Sequence, residues 1–148
     1  MRRVSLVALV AAVAAAAVAV PAAAGPQFTT VRATLGPGGD QDGSGSALLE
    51  FDTKDEAVCY EIQTQNVTTP ITEAAIVNTE TGATVIELLV IDRGPDLVEC
   101  VALQRFKARS RQALRAIGKD PSGYFLELYN AEHTSSPGAV RGQLEGVS

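Results

Sequence analysis

Hydrophobic and polar residues alternate over most of the chain beyond residue 27, which is the pattern of strands with one buried face. In the stretch SALLEFD, for example, Ala47, Leu49 and Phe51 share a face. Glycine, proline and asparagine interrupt these runs at short intervals, as turns between antiparallel strands require. Strands are predicted at residues 27–35, 46–52, 57–64, 71–78, 83–91, 97–103, 124–130 and 139–146.

One segment has the period of a helix. Residues 105–118 place Phe106, Leu114 and Ile117 on one face, and Gly118 stands where such a helix would end. Many short strands with a single helix are typical of an antiparallel sandwich or barrel. The pattern predicts an all-β, antiparallel Greek-key β-sandwich of about eight strands, with one helix inserted between the late strands.

The start of the chain has the layout of a secretory signal peptide. A positive pair, Arg2-Arg3, precedes an apolar run at residues 4–20 and then a group of alanines. We expect residues 1–24 to be a cleaved signal peptide and residues 25–148 to form one domain, secreted to the extracellular space or the periplasm. An uncleaved anchor is the alternative, but the apolar run is at the low edge of what spans a bilayer.

Charge narrows the choice of partners. Two of the 12 basic residues precede the cleavage site, which leaves 10 against 17 acidic residues and a net charge of −7. An acidic domain repels nucleic acid and anionic membranes, so neither is expected as a partner after signal cleavage. Most of the basic residues lie in or next to the predicted helix, where they could form a patch for an acidic partner. Exposed charged helix faces are common, so a solvated face whose charges pair with nearby acidic residues is the favoured interpretation. These basic residues are Arg105, Lys107, Arg109, Arg111, Arg115 and Lys119.

The two cysteines, Cys59 and Cys100, form an even set in an exported chain, which predicts a disulfide. The bond would close a loop of about 40 residues and stabilise the fold by ~4 kcal/mol. Two separate buried thiols are the alternative. The sequence has no Cys-x-x-Cys motif, so a thioredoxin-like redox role is not expected.

The segment GYFLELYNAEHTSSPGAVRGQL resembles the closing part of the CHRD (chordin-type) domain family, where an aromatic-rich strand, a loop and a Pro-Gly turn lead to a strand ending in R-G-Q. RATLGPGGDQDGSGSALLEFD, VCYEI and ECVALQRF resemble earlier family segments in the same order, so the likeness covers most of Phe28 to Glu145. The resemblance implies an extracellular domain with an architecture similar to copper/zinc superoxide dismutase or an immunoglobulin domain.

The chain departs from the family at three positions. Family members typically carry His-x-His after the third strand and another histidine in the aromatic strand. Here the corresponding residues are Ala75, Val77 and Tyr129. In chordin, CHRD domains belong to an extracellular antagonist of growth-factor ligands. The resemblance therefore implies a non-enzymatic binding or structural module with an extracellular or cell-surface protein partner, and we expect no catalytic residue, no cofactor and no metal ligand.

A calcium loop is a competing interpretation of DQDGSG, residues 40–45. Asp40, Asp42 and Ser44 would take ligand positions 1, 3 and 5, but position 12, which requires glutamate, is Phe51. We expect a polar turn between strands instead, with its glycines at positive φ. A calcium-dependent adhesion module remains the alternative, beside a metal-dependent enzyme of the superoxide-dismutase kind or its relic.

Two further residues, His133 and Asn66, are candidate functional sites. His133 is the only histidine, and it lies in AEHTSSPG with serines and a glutamate nearby. Neighbours within one loop rarely converge as a catalytic triad, so a solvated surface residue is the favoured interpretation. Asn66 begins an N-x-[ST] sequon, whose glycosylation depends on the host.

Overall fold

The computed structural model describes residues 28–88, 90, 94–103 and 107–147. Within these ranges the chain forms eight strands and one α-helix, which is followed by a short 3-10 turn at Pro121–Gly123. The elements are β1 (Phe28–Pro37), β2 (Ser44–Asp52), β3 (Ala57–Gln65), β4 (Ile71–Asn78), β5 (Thr84–Leu88), β6 (Asp96–Ala102), α1 (Lys107–Lys119), β7 (Tyr124–Asn130) and β8 (Val140–Gly146).

The described strands form one antiparallel sheet in the order β5-β4-β7-β8-β1-β2-β3-β6. The β4–β7 and β3–β6 pairs join strands that are not consecutive in the chain, as in a Greek key. The sheet curls until it is nearly barrel-like, and β8 pairs with both β1 and β7. The predicted all-β architecture, with a helix between the late strands, is confirmed.

One hydrophobic core lies inside the curled sheet, and all eight described strands contribute to it. The hydrophobic and polar residues that alternate along β2 are alternately buried and exposed, and Ala47, Leu49 and Phe51 point into the core. Leu114 and Ile117 of α1 join the same core and are fully buried. Burial of a side chain of this size contributes about 1.5–3 kcal/mol, so the helix stabilises the sheet that it packs against.

Four predicted boundaries extend beyond what the structure describes, the first of them residue 27, where the first predicted strand begins. The strand predicted at 83–91 is β5, Thr84–Leu88, while residues 89 and 91 lie outside the described residues. The predicted helix start at 105 and Phe106 of its apolar face also lie outside them, as does the predicted signal peptide. In the part that is described, no helix combines the length and hydropathy needed to cross a membrane.

The predicted disulfide is present. Cys59 of β3 and Cys100 of β6 lie directly opposite each other in the strand register, with Cα atoms 4.0 Å apart. Both residues are on the exposed outer face of the sheet. The bond ties β6, the last strand in the sheet order, to its neighbour.

Candidate functional site on the outer face of strands β4 and β7

The three residues at which the resemblance predicts histidines, Ala75, Val77 and Tyr129, lie together. Ala75 and Val77 are on β4, Tyr129 is on the adjacent β7, and the three form a hydrophobic cluster separate from the main core. They point away from the barrel interior, since Ala74 and Ile76 fill that side. Their exposed fractions are 0%, 4% and 7%. Two aliphatic groups and a phenol therefore fill this part of the outer face.

A buried carboxylate lies beside this cluster. Glu127, opposite Ala75 in the strand register, is 1% exposed. Its Oε2 accepts a hydrogen bond from the Tyr129 hydroxyl at 2.6 Å, and its Oε1 accepts one from the Ser136 hydroxyl at 3.0 Å. Burial, followed by the hydrogen bond to Glu127, raises the pKa of Tyr129 well above its ordinary value. The phenol consequently stays protonated and serves as a donor.

Sequence reasoning did not identify Glu127, although a signal was present. YFLELYN places one glutamate inside an apolar run, and β7 proves to be buried on both faces over most of its length. A carboxylate in such a strand needs hydrogen-bond partners, because an unpaired buried charge is costly. Tyr129 and Ser136 are those partners.

The loop of residues 131–139 covers the outer face of β7. Ala139 N–H donates to the Leu128 carbonyl at 2.7 Å, and Gly138 N–H donates to the Ser135 carbonyl at 2.8 Å. Gly138 has φ +69°, and a Cβ there would stand 2.5 Å from the Leu128 oxygen. Only glycine fits this turn, which brings Ser136 to Glu127.

His133 is not the solvated residue that the sequence favours. Its Nε2 lies 3.1 Å from Asp40 Oδ1, and its side chain is only 29% exposed. Ser136, which the sequence placed among possible triad members, bonds Glu127 instead. The loop thus divides its polar side chains between two separate groups, and the described residues do not assemble a Ser-His-acid triad.

Asn130, at the end of β7, organises the surroundings of Asp40. The side chain of Asn130 is buried and donates to Asp40 Oδ2 at 3.2 Å and to the Thr68 carbonyl at 3.1 Å. Its Oδ1 accepts the backbone N–H groups of Glu132 at 3.1 Å and His133 at 2.8 Å. One amide therefore holds three loops in a fixed relation.

Residues 40–43 of the DQDGSG segment lie in the turn between β1 and β2, as predicted, and Ser44 and Gly45 begin β2. The turn is flanked by strands and not by the helices of a calcium loop. Phe51 is fully buried and Glu50 is exposed on the other face. The expected positive φ of the turn glycines is wrong, because the positive-φ glycines of the described residues are Gly82 and Gly138. Close packing is the actual requirement: a Cβ on Gly43 would stand 2.6 Å from the Val140 side chain.

The helix charges are partly paired. Arg111 forms an ion pair with Glu56, whose side chain is only 8% exposed, while Arg115 and Lys119 are exposed. Arg105 lies outside the described residues, and so do the side chains of Lys107 and Arg109. The pairing of Arg111 with an acid agrees with the charge-paired face that the sequence favours.

The sequon residue Asn66 is exposed, with φ 56°, and its Nδ2 donates to the Asp42 carbonyl at 3.3 Å. This contact joins the loop after β3 to the turn after β1. Thr68, the third residue of the sequon, donates its backbone N–H to Asp40 Oδ2 at 2.9 Å.

Comparison with known proteins places these features in a family. Neither the curated proteins nor the solved structures contain a match to this chain. The family model of the CHRD domain matches residues 27–144, which include every strand described above up to the last residues of β8. This match spans most of the sequence and includes the face that carries Ala75, Val77 and Tyr129. The chain therefore belongs to the CHRD domain family.

Proposed function

We propose that this CHRD domain acts outside the cytoplasm as a non-enzymatic binding or structural module. The observation that carries the proposal is the outer face of β4 and β7. Ala75 and Val77, where the resemblance predicts histidines, are buried aliphatic residues, and Glu127 is 1% exposed with both carboxylate oxygens hydrogen-bonded within the chain. A catalytic acid or base must reach its substrate, and this one has no free access.

Export is part of the proposal. CHRD domains are of extracellular type, and disulfides are rare outside oxidising compartments. Together with the predicted signal peptide, these features support secretion to the extracellular space or the periplasm. Sequencing of the exported protein should then find Gly25 at its N-terminus, whereas an intact residue 1 would contradict cleavage.

The competing function is a metal-dependent enzyme of the superoxide-dismutase kind, or its relic. We would purify the protein after export with copper and zinc supplied, and measure superoxide dismutation against the Glu127→Gln variant. We expect neither protein to exceed the rate given by the free metals. Turnover by the wild type that falls in Glu127→Gln would overturn the non-enzymatic proposal.

The binding role needs its own measurement. Oxidised protein would be immobilised and exposed to the secreted and surface fraction of its host, with reduced and unfolded protein as the control. The proposal expects a protein that is retained by the folded form alone and that binds saturably when purified. Retention by both forms, or by neither, would argue for a purely structural role.

A further inference from the structure

We propose that Asp40, Glu132 and His133 form a binding site for one divalent transition-metal ion, for which zinc has the best-matched chemistry. Their ligand atoms all lie within 4.8 Å of one another. Asp40 belongs to the turn between β1 and β2, whereas Glu132 and His133 belong to the loop between β7 and β8. An ion here would join two loops that are far apart in the sequence.

The spacing of the first two ligands is close to what zinc requires. His133 Nε2 and Asp40 Oδ1 are 3.1 Å apart. A tetrahedral ion with bonds of about 2.0–2.1 Å separates its ligand atoms by about 3.3 Å. His133 Nε2 and Asp40 Oδ1 therefore need to move only slightly apart to bind the ion. The exposed Glu132 side chain can rotate toward the ion.

The Asp40 carboxylate is oriented as metal-ligand carboxylates are. Its Oδ2 accepts hydrogen bonds from Thr68 N–H at 2.9 Å and from Asn130 Nδ2 at 3.2 Å, so its Oδ1 is directed to His133. Asn130 is 1% exposed. A buried amide that orients a ligand in this way is the outer-shell support typical of metal sites.

The same buried amide also places the other two ligands. Asn130 Oδ1 accepts the backbone N–H groups of Glu132 and His133, which fixes the start of the loop. The imidazole of His133 then packs against Gly39, next to Asp40 in the sequence. The arrangement is therefore set by backbone contacts and one buried side chain, and does not depend on the ion.

The ligand types select among metals. One imidazole and two carboxylates, with water in the remaining position, suit zinc and similar transition ions. Calcium takes six or more oxygen ligands, so an imidazole and two carboxylates serve it poorly. Zinc would bind the lone pair of Nε2, so the bound ring carries its N–H on Nδ1.

The test uses the fact that His133 is the only histidine. The oxidised, exported protein would be freed of metal with a chelator and titrated with zinc chloride, while the ring nitrogens of His133 are followed by ¹⁵N NMR. We expect the imidazole signals to change until one equivalent is bound, and the melting temperature to rise, because the ion binds only the folded arrangement.

Two variants distinguish zinc binding at this site from nonspecific zinc binding to other acidic residues. Glu132→Gln should weaken zinc binding by at least about tenfold, since loss of even an outer-shell partner costs roughly 10- to 100-fold, and its exposed position makes misfolding no concern. Asp42→Asn, in the same turn but outside the cluster, is the matched control and should bind as the wild type does. The proposal is overturned by unchanged imidazole signals at millimolar zinc, by full affinity in Glu132→Gln, or by saturable calcium binding in place of zinc.

Discussion

The imidazole of His133 packs directly against the backbone of Gly39, in the space that a Cβ on residue 39 would need. This contact links a turn near the start of the domain to a loop near its end. Glycine is required at position 39 because any larger residue would occupy the space of the His133 ring. The φ angle of Gly39 is not positive, so backbone conformation does not impose the glycine.

Gly39→Ala should therefore displace the His133 ring. The added methyl group meets a side chain that can rotate, so we expect a modest fall in stability of about 1 kcal/mol and a fall in zinc affinity of about tenfold or more. Gly36→Ala is the control, since no atom lies within 4 Å of its added Cβ. Calorimetric zinc titration of both variants checks the prediction, and equal affinities would refute it.

Tyr129→Phe should destabilise the domain by removing a donor from the buried Glu127 carboxylate. A hydrogen bond to a charged group contributes about 1.5–3 kcal/mol, and we expect a loss in that range on urea unfolding. Ser136→Ala removes the second donor, from a more exposed position, and should cost about 1 kcal/mol. Tyr124→Phe on the same strand is the control, and a loss there equal to that of Tyr129→Phe would show that the effect comes from removing any tyrosine hydroxyl and not from the bond to Glu127.

Tyr60 should make stability fall at high pH. Burial, and then the charge of Glu99, raise the pKa of Tyr60 to about 12 from an ordinary value of 10.0. The folded state thus favours the protonated phenol, and this contribution is complete below pH 10 and is lost as the pH rises from there toward 12. Urea unfolding at about pH 9 and about pH 11 should show a drop that is smaller in Tyr60→Phe, whereas ultraviolet titration placing Tyr60 near pH 10 would contradict the burial argument.

Removal of the disulfide with Cys59→Ser and Cys100→Ser together should lower the free energy of unfolding by about 2–4 kcal/mol. The cause is the greater freedom of the unfolded chain, since the bonded residues are 41 positions apart in sequence. A thiol reductant should produce the same loss in the wild type and none in the double variant. Equal stability of oxidised and reduced wild type would show that strand pairing alone suffices.

Arg111→Gln should cost about 1–3 kcal/mol, because it leaves the buried carboxylate of Glu56 without its ion-pair partner. Half of the Arg111 side chain is exposed, which keeps the loss below that of a fully buried pair. Arg115→Gln, at an exposed position of the same helix, should change stability by less than about 0.5 kcal/mol. Thermal unfolding of the two variants tests whether the helix charges are paired or simply solvated.

The sequence predicted the strands and the disulfide well, because alternation and cysteine parity are local signals. The resemblance also singled out Ala75, Val77 and Tyr129, and the structure brings the three side chains together. Residue pattern alone could not show this meeting, since it depends on the pairing of β4 with β7.

The polar contacts were harder to predict. Asp40 and Asn130 are 90 positions apart, and the sequence gives no signal that they meet. His133 was interpreted from its loop neighbours, but its actual partner comes from the other end of the domain. Contacts between loops follow from strand order, which periodicity does not encode.

The position of Cys100 has a consequence for biogenesis. In the described sheet β6 pairs only with β3, so it is held along one edge, and the Cys59–Cys100 bond is a covalent addition to that single attachment. Before oxidation, this terminal strand can separate from the barrel without disturbing the other pairings. The sheet therefore reaches its final rigidity only once the bond has formed, which requires oxidising surroundings.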